Sequence, residues 1–283
     1  MSRLEILLVR ILKPIIRNEK IRYRLNVIWG KRPRIGEKIR IQIENKKKYE
    51  NDKKIYSQMN RRENFIFKKE YEYPFLGEWR GQAGYPGGYF WQDLWGGLRI
   101  AEKMPVRHFD IGSRIDGFIS HLMLLKIPTT LIDIRPLDKK IPGVEFIQAD
   151  ATELNNIADN SIESLSALCS LEHFGLGRYG DAIDPEGCFK AFHAIQRVVR
   201  PGGYIYISLP IGKERVCFNA QRVFNTNTIV EEFKSCHLEE YSVIDLTEDP
   251  VLIINCDLKK YNDAETSQMG LFCFRKKIVE MVK

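Results

Sequence analysis

The fold of this chain is decided by residues 107–118, RHFDIGSRIDGF. A short run ends at Asp110, a glycine follows at position 112, and the apolar segment 118–125 comes directly afterwards. This order predicts a β-strand, a tight turn and a helix. A turn of that kind places backbone N–H groups and a carboxylate around a bound nucleotide.

Strand-like runs recur downstream of this turn. After the first strand we predict four more, at 129–134, 144–147, 162–168 and 204–209. Between the last two, a helix is expected to begin at Asp184 and Pro185 and to end before Pro201. Strands separated by helical segments indicate a parallel sheet covered on both faces. Ligands of such sheets bind beyond the carboxyl ends of the strands.

Acidic side chains stand at the predicted carboxyl ends of four successive strands. They are Asp110, Asp133, Asp150 and the Glu172-His173 pair. Because these strand ends meet at one edge of a sheet, we expect one shared site. Asp133 follows the glycine turn by about 20 residues, where a carboxylate accepts hydrogen bonds from ribose hydroxyls. Asp150 and the backbone of the next residue are expected to contact an adenine edge.

These positions resemble the motifs of class I S-adenosylmethionine-dependent methyltransferases. That family has an acid followed by alternating glycines, an acid after the second strand, an Asp-Ala-like pair after the third and a Pro-Gly-Gly turn before the fifth. The matching residues are Asp110-Ile111-Gly112, Asp133, Asp150-Ala151 and Pro201-Gly202-Gly203. The resemblance implies an α/β, Rossmann-like fold with a mostly parallel seven-stranded sheet. Segments 240–246 and 270–275 suit its C-terminal antiparallel hairpin.

Residues 110–117 and 171–181 look closer still to an uncharacterised methyltransferase-like group that is often found among surface-polysaccharide assembly genes. The resemblance implies S-adenosyl-L-methionine as cofactor. The candidate cofactor-binding residues are Asp110, Gly112, Ser113, Arg114, Asp133, Asp150 and Ala151. The chain departs from the family at Arg114 and Asp116, where glycines are usual. The side chain of Arg114 is expected either to crowd the methionine part of the cofactor or to swing out and bind its carboxylate.

The resemblance implies methyl transfer, for which we favour a hydroxyl of a cell-surface glycan as acceptor. A sugar hydroxyl is weakly acidic, so a proton acceptor is expected. His173 is the candidate base, oriented by Glu172 or Asp181; alternatively, His173 only shapes the pocket. The candidate acceptor-binding residues are Arg178, Tyr179, Asn219 and Arg222. An ion pair between Arg178 and Asp181 that stiffens the glycine-rich loop is the alternative role of that arginine.

Three other functions are compatible with parts of this pattern. A catalytically degenerate protein of the same fold would act as a binding or scaffold protein in glycan assembly. A nicotinamide-dependent reductase shares the position of Asp133, but no Tyr-x-x-x-Lys follows residue 104. A nucleic-acid methyltransferase would use the basic N-terminal residues, but no Asn-Pro-Pro-Tyr-type motif stands beside the fourth strand. No His or Cys cluster has metal-ligand spacing, so no metal is expected.

Charge divides the chain. Residues 1–70 hold 21 Lys and Arg against 8 Asp and Glu, whereas residues 71–283 hold 23 against 29. We predict a basic N-terminal arm at 1–70, an aromatic, glycine-rich linker and lid at 71–104, and a methyltransferase-like domain at 105–283. Segment 1–17 is expected to be an amphipathic helix that contacts a membrane surface peripherally or packs on protein. Segment 39–43 alternates like a short strand.

Cysteine usage favours a reducing, cytoplasmic location. The six cysteines form no Cys-x-x-Cys pair, and no secretory leader is recognisable. No run reaches the ~18 apolar residues of a membrane span, although the inner face of a membrane is an alternative location if the basic arm binds lipid. No nucleic-acid partner is expected, because no known binding module accompanies the basic clusters. The pattern leaves the oligomeric state open.

Overall fold

The computed structural model describes residues 35–278. By its internal packing the chain divides into two compact units, Met1–Tyr85 and Pro86–Lys283. The boundary falls within the segment predicted to be a linker. The amphipathic helix expected at 1–17 lies outside the described residues. Within the described part, no helix combines the length and apolar character needed to cross a membrane.

The described part of the first unit, residues 35–85, contains one long helix. Helix α1, Ile35–Met59, contains the segment 39–43, so the strand predicted there is wrong. The alternation is only five residues long, whereas no glycine or proline interrupts the sequence between residue 36 and residue 74. Ion pairs four residues apart, Arg40 with Glu44 and Lys48 with Asp52, also favour the helix.

Short 3-10 turns follow α1 at Glu63–Phe65, Lys69–Tyr71 and Glu78–Arg80. Polar contacts fasten this segment to the helix. Glu72 accepts hydrogen bonds from Tyr49 at 3.1 Å and from Lys53 at 2.7 Å. Arg80 donates from Nε to the buried Asn45 at 2.9 Å. Within residues 35–85, side-chain hydrogen bonds therefore do more to hold the segments together than buried apolar side chains do.

The second unit contains a large sheet. In chain order its strands are β1 His108–Ile111, β2 Thr129–Asp133, β3 Val144–Gln148, β4 Ile162–Leu168, β5 Val199–Ile211, β8 Cys236–Asp245, β9 Val251–Ile253 and β10 Gln268–Lys276. Their spatial order is β3-β2-β1-β4-β5-β10-β8-β9. Strands β1 to β5 pair in parallel, and β10, β8 and β9 are antiparallel. Strands β6, Arg215–Cys217, and β7, Gln221–Val223, form a separate hairpin.

This topology confirms the predicted mostly parallel sheet and the C-terminal antiparallel pair, in which Gly270 faces Val243. The sheet has eight strands within the described residues instead of seven, because Val251–Ile253 adds a short edge strand to β8. Strand β5 begins at Val199, before the Pro-Gly-Gly turn, and its pairing with β4 shifts register between Ile162 and Ser164.

Four helices accompany the sheet: α2 Gly88–Lys103, α3 Gly117–Leu124, α4 Gly187–Val198 and α5 Thr226–Glu232. Helix α2 begins four residues before the predicted start at Gln92 and includes part of the aromatic segment expected to be a loop. Helix α4 begins after the predicted start, because Asp184 forms a turn in which its carboxylate accepts from the N–H of Glu186 at 3.0 Å.

Buried side chains lie on both faces of the sheet. Along β5, Ile205 and Ile207 belong to the core that contains Phe192 of α4, whereas Tyr206 belongs to the core that contains Trp95 of α2. Successive side chains of a strand point to opposite faces, so one strand serves both layers. The predicted double covering of the sheet is confirmed.

Gly96 on α2 allows a close helix contact. A Cβ at this position would lie 3.0 Å from Phe118 and 3.1 Å from Leu168. We expect Gly96→Val to lower the free energy of unfolding by about 1–3 kcal/mol, because a packed core resists added volume. The control, Leu98→Val, changes a residue of the same helix that is 52% exposed, and we expect a change within about 0.5 kcal/mol. Equal effects in urea titrations would contradict the contact.

Candidate active site

The turn after β1 is fixed by a close backbone approach. Gly112 has φ of +74°, and its N–H donates to the carbonyl of Ile132 at 2.9 Å. A Cβ here would lie 2.8 Å from the Cβ of Ser170. The hydroxyl of Ser170 in turn donates to the carbonyl of Ile111 at 2.8 Å. These contacts join the carboxyl ends of β1, β2 and β4, and only glycine fits at the centre.

Asp110 lies beneath this turn. Its carboxylate accepts hydrogen bonds from the hydroxyl of Ser166 and, at 3.3 Å, from the N–H of Ser113. Ser166 also bonds His108, at 2.8 Å. Burial raises the pKa of Asp110 to about 6. The side chain is fully buried and lines neither cavity described below. Asp110 therefore stabilises the turn. Its buried position does not support the direct cofactor contact that the sequence predicted for it.

One cavity, which we call cavity A, opens at the carboxyl ends of β1 to β4. Its apolar wall includes Ile111, Ile132 and Ala151. Its polar wall includes Gly112, Asp133, Arg135, Asp150, Ser170, His173, Tyr179 and Asp181. The segments after these four strands thus bring seven of the fourteen predicted site residues around one space. Asp150 is arranged by an Asx turn, with Thr152 N–H donating to its carboxylate at 2.9 Å.

Arg135 was not found from the sequence. Its Nε donates to one oxygen of Asp133 at 2.9 Å and its Nη2 donates to the other at 2.7 Å. Its guanidinium carbon also lies 4.6 Å from the centre of the Tyr179 ring. The oxygen that accepts from Nε, Oδ1, also accepts from the backbone N–H of Arg135 at 2.8 Å, so the remaining acceptor capacity of Asp133 is the second lone pair of Oδ2. The sequence signal that could have identified Arg135 is its position two residues after Asp133, the acid that ends β2.

A second space, cavity B, adjoins cavity A and measures about 780 Å³. The two share the lining residues Gly112, Arg135, Cys169, His173 and Tyr179. Helix α2 contributes Tyr89, Gln92 and Asp93 to cavity B. These three residues were missed from the sequence, because the segment was interpreted as a linker and lid whose helix was expected to begin only at Gln92. Burial raises the pKa of Asp93.

The departures from the family motif leave the turn open. The Arg114 side chain is 85% exposed, and its Nε lies 3.1 Å from Asp116. It therefore does not crowd the turn, which removes the first of the two alternatives for this side chain. The buried hydroxyl of Ser113 has no hydrogen-bond partner among the described residues. A polar group of a ligand beside the turn would satisfy it.

Glu172 and His173 lie in a single 3-10 turn, Leu171–His173, after β4. Oε1 of Glu172 is 3.5 Å from Nε2 of His173. Oε2 of Glu172 is buried and has no partner within the described chain, and the residue lines cavity B. Burial raises the pKa of Glu172 to about 8, so its carboxyl group is largely protonated at neutral pH.

The tautomer of His173 follows from its other contact. Nδ1 lies 2.6 Å from the carbonyl of Ala220, which can only accept, so the imidazole proton is on Nδ1. Burial lowers the pKa of His173, which keeps the ring neutral. Nε2 therefore carries a lone pair, and it lies 3.5 Å from Oε1 of Glu172. The orienting group for His173 is a backbone carbonyl, which the sequence did not indicate.

Asp181 has a different position from the one predicted. It accepts hydrogen bonds from Gly175 N–H at 2.7 Å, Gly177 N–H at 3.3 Å and Tyr179 N–H at 3.2 Å. Its carboxylate thus organises the glycine-rich loop and makes no hydrogen bond to His173. It makes no ion pair with Arg178 either, since Arg178 donates to the carbonyl of Ala220 at 2.8 Å.

The four predicted acceptor-binding residues separate into two pairs. Arg178 and Tyr179 line cavity B. Arg222 is 6% exposed, lines neither cavity and donates to the carbonyls of Phe174 at 2.6 Å and Pro185 at 3.1 Å. Asn219 is exposed in the turn between β6 and β7 and also lines neither cavity. Arg222 therefore stabilises the loop after β4 through hydrogen bonds to its backbone. The positions of Arg222 and Asn219 do not support the acceptor contacts predicted for them.

One family model matches part of this chain. A family model described as "Caenorhabditis protein of unknown function, DUF268" matches residues 139–270. No protein of the curated set gives a significant match. Within residues 35–278, no group of three His, Cys, Asp or Glu side chains is arranged to hold a metal ion.

Among solved structures, the 1,6-didemethyltoxoflavin-N1-methyltransferase of Burkholderia thailandensis, with bound 1,6-didemethyltoxoflavin and S-adenosylhomocysteine, is 14% identical, with a TM-score of 0.49 over 71% of this chain and 81% of that one. The N-methyltransferase NodS of Bradyrhizobium japonicum, in complex with S-adenosylhomocysteine, is 13% identical, with a TM-score of 0.46 over 67% and 88%. A SAM-dependent methyltransferase of Methanosarcina mazei is 15% identical, with a TM-score of 0.42 over 61% and 92%. At these values the likenesses assign no reaction to this chain.

Two glycines of the loop after β4 offer a matched test. Both have positive φ, but a Cβ at Gly175 would lie 1.8 Å from the carbonyl oxygen of Asp184, whereas one at Gly180 meets nothing within 4 Å. We expect Gly180→Ala to lower the free energy of unfolding by about 1 kcal/mol, from the backbone term alone. Gly175→Ala is expected to cost more than about 3 kcal/mol. Similar urea midpoints for the two variants would show that the loop is not packed as described.

The protonation of Glu172 is testable without a substrate. Its pKa of about 8 in the folded chain lies above the ordinary value of 4.5, so the folded state keeps a proton that the unfolded chain loses between these pH values. The stability of the natural chain relative to Glu172→Gln should therefore fall as pH rises from 4.5 to 8, by on the order of 1 kcal/mol per pH unit. A difference that stays constant or rises with pH would show that Glu172 is ionised. Urea unfolding at several pH values measures it.

Proposed function

We propose that this protein transfers a methyl group from S-adenosyl-L-methionine to a hydroxyl group of a sugar or glycan. One observation carries the proposal: cavity A, with Gly112 and Asp133 in its wall, adjoins cavity B, which is lined by Glu172, whose Oε2 has no hydrogen-bond partner in residues 35–278. A nucleoside site next to a buried proton acceptor has the layout that group transfer to a hydroxyl needs.

The residues of cavity A fit the adenosyl part of this cofactor. Oδ2 of Asp133 has a second lone pair for a ribose hydroxyl. Ile111 and Ile132 provide an apolar surface for adenine. The turn at Gly112 has no Cβ that would keep a ligand away, and Arg114 points outward. When bound, S-adenosylmethionine supplies an electrophilic methyl group on a sulfonium sulfur.

Glu172 and His173 supply the proton acceptor. In this proposal the acceptor hydroxyl donates to Oε2 of Glu172, which has no hydrogen-bond partner among the described residues. The hydroxyl proton would pass to Oε2, and the proton on Oε1 would pass to Nε2 of His173, which lies 3.5 Å away. The carbonyl of Ala220 holds Nδ1–H and stabilises the resulting imidazolium.

The remaining lining of cavity B supports a hydroxyl-rich acceptor. Tyr89, Gln92, Gln221 and Gln268 are among its lining residues, so amide and phenol groups face the space. Such side chains offer both donors and acceptors, which suits sugar hydroxyls.

Binding of S-adenosylhomocysteine to the full chain tests the proposal. We expect a 1:1 isotherm in titration calorimetry, and we expect Asp133→Ala to weaken it by about 10- to 100-fold, the effect of losing charge-assisted hydrogen bonds worth about 1.5–3 kcal/mol. The control is Asp263→Ala, which removes an exposed carboxylate that lines neither cavity and should leave the affinity unchanged.

The competing functions give different isotherms. A reductase would bind NAD more tightly than S-adenosylhomocysteine, and that result would reverse the choice of cofactor. A scaffold protein would bind neither nucleotide although the chain is folded, which thermal melting in the same buffer establishes. Equal affinities of Asp133→Ala and the natural chain would place the ligand outside cavity A.

A further inference from the structure

We propose that the acceptor carries an anionic group, a phosphate or a carboxylate, which Arg178 and Arg135 bind beside the ring of Tyr179 at the rim of cavity B. The inference rests on the proposed function, since it names the chemical class of the molecule that is methylated. It comes from the charges around cavity B and from the contacts of these three side chains.

The two arginines converge on one ring. The guanidinium carbon of Arg178 lies 5.2 Å from the centre of the Tyr179 ring, and that of Arg135 lies 4.6 Å from it. All three residues line cavity B. Each guanidinium therefore makes a cation–π contact with this ring. Planar guanidinium groups bind phosphate and carboxylate through paired hydrogen bonds.

The ion pairing of the cavity is incomplete. Cavity B is lined by three arginines. Arg114 is paired with Asp116 and Arg135 with Asp133. Arg178 has no carboxylate within ion-pair distance in residues 35–278; it donates to the neutral carbonyl of Ala220, and its Nη1 lies 3.3 Å from Nδ1 of His173. Its positive charge is thus available to a ligand.

Two of the acids of cavity B do not pair with Arg178. Burial raises the pKa of Glu172 to about 8, so its carboxyl group is largely protonated at neutral pH. Asp116 is already engaged by Arg114, and the third acid, Asp93, accepts a hydrogen bond from Gln92 at 3.2 Å. Arg178 is therefore the arginine of this lining that has no carboxylate partner in residues 35–278, and an anionic ligand would supply one.

Arg178 also lies beside the proposed proton acceptors, with its Nη1 3.3 Å from Nδ1 of His173. Its positive charge acts to lower the pKa values of both Glu172 and His173, an effect that a bound anion would offset. Oε2 of Glu172 is buried without a partner in the described chain. An anionic group bound at Arg178 would therefore hold a neighbouring hydroxyl of the same molecule near the carboxyl group that receives its proton.

The experiment titrates the full chain, saturated with S-adenosylhomocysteine, with three small probes. These are glucose 1-phosphate, glucuronate and glucose. We expect at least one anionic probe to bind at least tenfold more tightly than glucose, with an affinity that falls as NaCl is raised. The phosphate and carboxylate probes distinguish the two sources of negative charge.

Variants assign the effect to Arg178. Arg178→Gln should weaken the anionic probe at least tenfold, and Arg178→Lys should restore only part of the affinity because it keeps the charge but loses the paired donors. The control, Arg200→Gln, removes an exposed arginine that pairs with Glu163 and lines neither cavity, and should bind as the natural chain does. Thermal melting of each variant checks that it is folded.

Two results overturn the inference. One is equal affinity for glucose and both anions, or no binding of either anion. The other is an unchanged affinity of Arg178→Gln for the anionic probe. The titrations are repeated without S-adenosylhomocysteine, so that failure of the cofactor to bind, which would end the proposed function, is distinguishable from failure of the anion to bind.

Discussion

The site depends on the close approach of Gly112 to Ser170. With φ of +74° and only hydrogen where a Cβ would be 2.8 Å from Ser170, Gly112 lets the carboxyl ends of β1 and β4 meet. Hydrogen bonds from Gly112 to Ile132 and from Ser170 to Ile111 fix the approach. Cavities A and B adjoin at this point, where Gly112 lines both of them.

Burial then decides the charge of each group around this point. Glu172 is withdrawn from water without a partner for Oε2, and its carboxyl group is kept neutral. Arg222 is equally buried but donates to backbone carbonyls, which lets it clamp the loop that carries His173. Arg178, at the exposed rim, keeps its charge without a carboxylate partner in the described chain. The neutral carboxyl group of Glu172 and the positive charge of Arg178 therefore lie in one segment after β4.

The sequence predicted the regular elements well where they are long and periodic. Strand β4 matches its predicted bounds, and the pairing of β8 with β10 was expected. The prediction was wrong at 39–43, where a five-residue alternation lies within a helix of 25 residues. It also began α2 too late, because Gly88 and the aromatic residues after it resemble a loop until their packing on the sheet is known.

For the site, the sequence by itself determined which strand ends carry acids and where the turn requires glycine, since both follow from local order along the chain. Only the tertiary structure decided which acids face the ligand space. Asp110 is turned inward onto Ser166, Asp133 is bound by Arg135, and His173 is oriented by Ala220, 47 residues later. These partners are distant in sequence or belong to irregular loops, and the burial that sets the pKa of Glu172 requires the whole fold, because desolvation depends on every segment that excludes water from the carboxyl group.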